Sequence, residues 1–93
     1  MTTYRRTDQS DGRVAFGFGP REGEEFRSVQ IEIGNVVAEA GAGTEFANSG
    51  QLYMANFTRT DGTQDEGVAG FSVPAGIADE VAVVLASRGH TVL

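Results

Sequence analysis

The chain has no cysteine, no tryptophan and no lysine, one histidine and two prolines among its 93 residues. Without cysteine there is no disulfide framework, no thiolate metal site and no cysteine nucleophile. With His90 alone, a Ser–His pairing would have to draw on an isolated serine such as Ser72 or Ser87. No Gly-x-Ser-x-Gly turn or oxyanion signature accompanies either one. His90 follows Gly89 near the C-terminus and reads as a capping or surface histidine.

Long apolar runs are also missing. The longest, VAVVLA at 81–86, is far shorter than a membrane span, and no apolar stretch follows the arginines of MTTYRRTDQSDG. The expectation is a chain with no membrane partner, no signal peptide and a cytoplasmic location. All seven basic residues are arginine, and the formal net charge is −6. Such a balance repels nucleic-acid phosphates unless arginines gather on one face, so nucleic acid is not the expected partner.

Thirteen glycines and 40% apolar residues are present instead. Apolar content in this range supports an ordered core, and the length suits one domain, 1–93. The excess of glycine favours turns and bends over long helices. Strict alternation of Val14, Phe16 and Phe18 against Arg13, Ala15, Gly17 and Gly19 predicts a strand over 13–19. TTYRRT is its hairpin partner, with Asp11-Gly12 at the turn. PREGEE at 20–25 reads as a charged turn.

In SVQIEIGNVVAEA, Val29, Ile31 and Ile33 alternate with Ser28, Gln30 and Glu32. A hairpin turning at Gly34-Asn35 would keep Val36, Ala38 and Ala40 on the same side, while a helix over VVAEA is the alternative. Residues 41–50 form a loop, and its Phe46 reads as a plug beneath the sheet. QLYMANFTRT predicts a long central strand with Tyr53, Ala55, Phe57 and Arg59 on one face. The DGTQDEG tip leads to the return strand GVAGFSV.

After Val73 the apolar period lengthens to about 3.6, as in a helix. Ile77, Val81, Val84 and Leu85 share a face, Pro74 suits the first turn, Arg88 the last, and Gly89 the stop. The tail HTVL can add an edge strand or fray. Ala78, Ala82 and Ala86 form a second stripe, which reads either as packing on the glycine and alanine face of 13–19 or as a helix interface between copies. The fold expected is α+β: an antiparallel, strongly bent meander of five to six strands with one C-terminal helix, about 74–88, packed on one face.

RTDQSDGRVAFGFGP at 6–20 is echoed by RTDGTQDEGVAGFSVP at 59–74. An acidic ion site is one reading of the echo. Asp61, Asp65 and Glu66 lack the ligand order of a calcium loop, however, so two hairpins with polar tips is the better one. Duplication and convergence explain the echo equally well.

No catalytic constellation, cofactor motif or metal-ligand set emerges, and a non-enzymatic role is expected. The chain is read as a small acidic binding or assembly module acting through protein–protein contact, with homodimerisation through a sheet edge or the alanine stripe. Its candidate contact residues are Tyr53, Phe57, Arg59, Asp61, Asp65 and Glu66. One alternative is a single-strand nucleic-acid module in which Arg5 or Arg6 joins an aromatic and arginine strand face. Another is a phage or mobile-element factor that disables a host protein.

Overall fold

A computed structural model describes residues 2–19, 25–42 and 51–93. The order of elements is β1 (Thr3–Asp8), β2 (Arg13–Gly17), α1 (Phe26–Val37), β3 (Gln51–Thr58), β4 (Gln64–Pro74), α2 (Ala75–Ser87) and β5 (Thr91–Val92). A π-helical turn, Ala38–Ala42, extends α1 until Gly41 leaves helical geometry at φ 109°. The strands form one sheet in the order β3-β4-β2-β1-β5, antiparallel except for the parallel pair β1–β5. The α+β class and, among the described residues, a sheet of five strands are as expected, but the sheet is mixed and is no meander. The charged turn 20–25 apart from Glu25, the loop from 43 onward and its Phe46 lie outside the described residues.

The largest departure is α1, where a hairpin was expected over 28–40. Val29, Ile33, Val36, Val37 and Ala40 are buried. Their spacing is a helical stripe that happens to contain alternating residues as well. A hairpin would have left Val37 opposite Val36; the helix buries both, and it leaves Ile31 54% exposed instead.

Both helices pack on one face of the sheet. Tyr4, Val14, Phe16, Phe71 and Val73 from the strands meet Val29, Ile33 and Val37 of α1 and Ala78, Val81 and Leu85 of α2 in one core. Phe16 and Phe71, partners across β2 and β4, stack with ring centroids 5.3 Å apart. Burying each such side chain contributes roughly 1.5–3 kcal/mol. Ala15 and Gly17 therefore face away from the helices, and the expected packing of the alanine stripe on them does not occur.

The chain is built as two strand–strand–helix units. In each, a three-residue tip is closed by the same pair of devices. Gln9 N–H donates to the Arg13 carbonyl as Arg59 N–H does to Thr63, both at 2.8 Å. Asp11 Oδ1 accepts from the Arg13 amide as Asp61 Oδ1 does from the Thr63 amide. Gly12 and Gly62 follow at φ 80° and 87°, where glycine is favoured. The structural equivalents are thus Asp11-Gly12 and Asp61-Gly62, a register different from the one in which Arg-Thr-Asp matches Arg-Thr-Asp. With β2 antiparallel to β4 at the centre and β1 and β3 outside, the units are related by an approximate two-fold axis normal to the sheet.

α2 ends as its sequence indicates. Gly89 sits at φ 86°, its N–H donates to the Ala86 carbonyl, and His90 N–H donates to Leu85, both at 3.1 Å. The chain then turns into β5 beside β1. Among the described residues no helix is long and apolar enough to cross a membrane.

Candidate functional site

The face of the sheet opposite the helices carries Thr3, Arg5 and Thr7 of β1, Arg13, Ala15 and Gly17 of β2, and Ser72 and Gly70 of β4, by the alternation of the paired registers. On β3 the same alternation brings Tyr53, Ala55 and Phe57 to this face, which no described helix covers and which is called the open face below, as their shared period predicts. β3 itself is an edge strand, not the expected central one. Leu52 and Met54 point to the helix side, where Leu52 packs against the core and Met54 is 42% exposed.

Tyr53 and Phe57 lie over glycines. A Cβ added to Gly70 would run into the Tyr53 ring and hydroxyl, and one on Gly17 would come within 3.1 Å of that hydroxyl. The phenol therefore reaches across β4 to β2, next to the strand position of Arg5, which pairs with Gly17. A Cβ on Gly67 would come within 3.0 Å of the Phe57 ring. Gly67 and Gly70 are three apart and would occupy opposite faces of a regular strand. The register shift between Tyr53 and Met54 leaves Ala69 as the extra residue and turns both glycines to the open face. Burial in this bed pushes the Tyr53 phenol pKa above its ordinary value, although the residue remains 37% exposed.

Beside Tyr53 a cleft of about 340 Å³ opens, lined by Gln9, Asp11, Ala15, Leu52, Tyr53 and Ser72. Ser72 in this lining is held by Arg13, whose Nε donates to Ser72 Oγ at 3.1 Å and whose Nη2 donates to the Ser72 carbonyl at 2.9 Å. Buried polar atoms of Ser72 are satisfied in this way.

The acidic residues of the second tip do not converge. Asp61 is engaged by the hydroxyl and amide of Thr63, at 2.6 and 2.9 Å. The Thr63 hydroxyl is the main cause holding the Asp61 carboxyl below its ordinary range, followed by the Thr63 amide and, more weakly, by Arg59. Asp65 forms an ion pair with Arg59 and accepts from the Glu66 amide at 2.8 Å. Glu66 lies opposite Asn56, one position out of phase with Asp65. Among the described residues there is no group of three metal-ligating side chains.

The arginines are likewise divided. Arg6 projects to the helix side, where Nη1 donates to Asp79 at 2.7 Å, and Arg59 is committed to Asp65 at the far end of β3. Arg5 alone of the three stands near Tyr53. In the alanine stripe, Ala78 is fully buried, Ala82 half-buried and Ala86 exposed, so it runs from the core into solvent rather than along one outward face.

His90 has a role that sequence reasoning missed. Nδ1 accepts from Thr2 N–H at 3.1 Å, Nε2 faces Glu32 Oε1 at 3.9 Å, and the ring meets Tyr4 edge-on at 5.4 Å. It ties the start of β1 to the end of α2. Position next to a helix-ending glycine was the only signal, and it indicates a cap without naming what the side chain touches. No family model matches the chain, and neither curated proteins nor solved structures provide a match from which a family could be assigned.

Proposed function

We propose that the chain is a small acidic protein-binding or assembly module with no enzymatic chemistry of its own. Its contact surface in this reading is the open sheet face around Tyr53 and Phe57, continued along the outer edge of β3. The observation that carries the reading is the placement of Tyr53. It is a large aromatic spread over Gly70 and Gly17 on the side of the sheet away from the helices, still 37% exposed. Aromatic side chains already held in place lose little freedom on binding and are typical anchors of protein contacts.

Phe57 extends the apolar strip, and Arg59 with Asp65 and Asp61 supplies a charged rim at its end, the arrangement usual in protein interfaces. A factor that disables a host protein would use the same surface. The test is capture of a partner from the native host with the unmodified chain, followed by titration of that partner against Tyr53→Ser and Phe57→Ser. Each substitution is expected to weaken binding by tenfold or more. Binding unchanged by both would overturn this assignment of the face.

A further inference from the structure

We infer that the outer edge of β3 pairs with the same edge of a second copy of this chain, antiparallel, so that two five-stranded sheets continue across a two-fold axis at Ala55. The inference rests on the protein-contact reading and names its partner. Arg59 N–H points inward, donating to Thr63 across the hairpin. Ladder alternation then turns the N–H and C=O groups of Tyr53, Ala55 and Phe57 toward β4 and those of Leu52, Met54, Asn56 and Thr58 outward. Among the described residues no backbone group bonds to this outward row.

Exposed edges are ordinarily blunted by charge, proline or a covering segment. The opposite edge of this sheet is blunted by being short, the two-residue β5. There β5 lies along β1, with Thr91 N–H donating to Thr2 at 3.0 Å, Leu93 N–H to Tyr4 at 2.8 Å, and Arg6 N–H to Leu93 at 3.2 Å. β3, QLYMANFT, has eight residues with no charge and no proline. In a chain of net charge −6, an uncharged strand is where two copies meet with the least repulsion.

Self-complementarity sets the register. With the axis at Ala55, Met54 exchanges hydrogen bonds with the partner's Asn56, and Leu52 with the partner's Thr58. All four outward residues are then matched within β3. Tyr53 and the partner's Phe57 stand opposite in this register, and because their rings lie inward over Gly70 and Gly67 they leave the seam free for the two backbones to approach. Sliding by two residues in either direction leaves an outward residue without a strand partner in β3.

The absence of cysteine makes the test clean. Ala55→Cys would bring two thiols into a non-hydrogen-bonded pair with Cβ atoms roughly 4.5–5.5 Å apart, close enough to join after small adjustment. Mild oxidation is expected to give a covalent dimer at least tenfold faster than Asn56→Cys, which would face the partner's Met54, or Val83→Cys, which sits 62% exposed on α2. Sedimentation of the unmodified chain is expected to show a monomer–dimer equilibrium. Asn56→Pro, which removes an outward N–H, and Ala55→Lys, which sets like charges face to face, are each expected to shift it toward monomer with the circular dichroism spectrum retained.

A chain that stays monomeric at millimolar concentration, with Ala55→Cys cross-linking no faster than Val83→Cys, overturns the pairing. If such a monomer still binds a host partner in a Tyr53-dependent manner, the pairing fails while the protein-contact reading stands. Neither a dimer nor a Tyr53-dependent partner overturns both.

Discussion

Tyr53 occupies the space that a side chain at Gly70 would need. Gly70→Ala would drive its methyl into the Tyr53 ring and to within 2.7 Å of the Phe16 carbonyl oxygen. The ring can swing away, but the carbonyl belongs to the central ladder. A loss of about 1–3 kcal/mol is expected from urea unfolding, as for other overpacked sites. Adding Tyr53→Ala should recover only part of it. Gly67→Ala meets only the Phe57 ring, at 3.0 Å, and should cost less than about 1 kcal/mol.

Asp61 gives the second hairpin a pH dependence of known sign. Its carboxyl titrates below the ordinary range in the folded chain, so the ionised form is favoured by folding. The stabilisation is present above the unfolded value and is lost as pH falls through the folded one. Thr63→Val removes the hydroxyl donor and keeps the amide. A carboxyl-detected NMR titration should then find Asp61 moved up toward its ordinary value; an unmoved Asp61 would show that the hydroxyl is not the cause.

His90→Phe preserves an aromatic edge against Tyr4 but deletes the acceptor for Thr2 N–H. About 1 kcal/mol of stability should go with it. His90→Ala should cost more, because the ring contact is lost as well. Amide exchange at Leu93, whose N–H donates to Tyr4, is expected to speed up in both variants, marking release of the β1–β5 pairing.

Gly89→Ala places a methyl where the backbone stands at φ 86°. The left-handed region disfavours such a residue by roughly 1–2 kcal/mol, and the two closing hydrogen bonds to Ala86 and Leu85 depend on that conformation. Thermal unfolding should register a loss of that size. Gly76→Ala, inside the first turn of α2 with open space around it, should be neutral or stabilising by up to about 1 kcal/mol.

What was legible in the sequence was local. Val14, Phe16 and Phe18 alternate, and the structure buries Val14 and Phe16 on the helix side with Phe18 against them. Val81, Val84 and Leu85 repeat at helical spacing in α2, and the face shared by Tyr53 and Phe57 follows from period two. α1 was obscured because Val29, Ile33 and Val36 satisfy both periods, and it is the exposure of Ile31 and the burial of Val37 that separate them. The pairing of β2 with β4 was not legible, since it is decided by Phe16 on Phe71 and by the distant glycines that leave room for Tyr53. The glycine beds themselves needed the bulge at Ala69, which no alternation announces.

β5 is only two residues long, yet it decides whether assembly would stop. It lies along β1 as the other edge strand and offers a row only two residues long, too short to seat a further sheet, so self-association through β3 closes at two copies. A chain cut after His90 would replace that short edge with the six-residue edge of β1. Pairing could then propagate from both edges, turning a self-limiting contact into an open-ended ribbon.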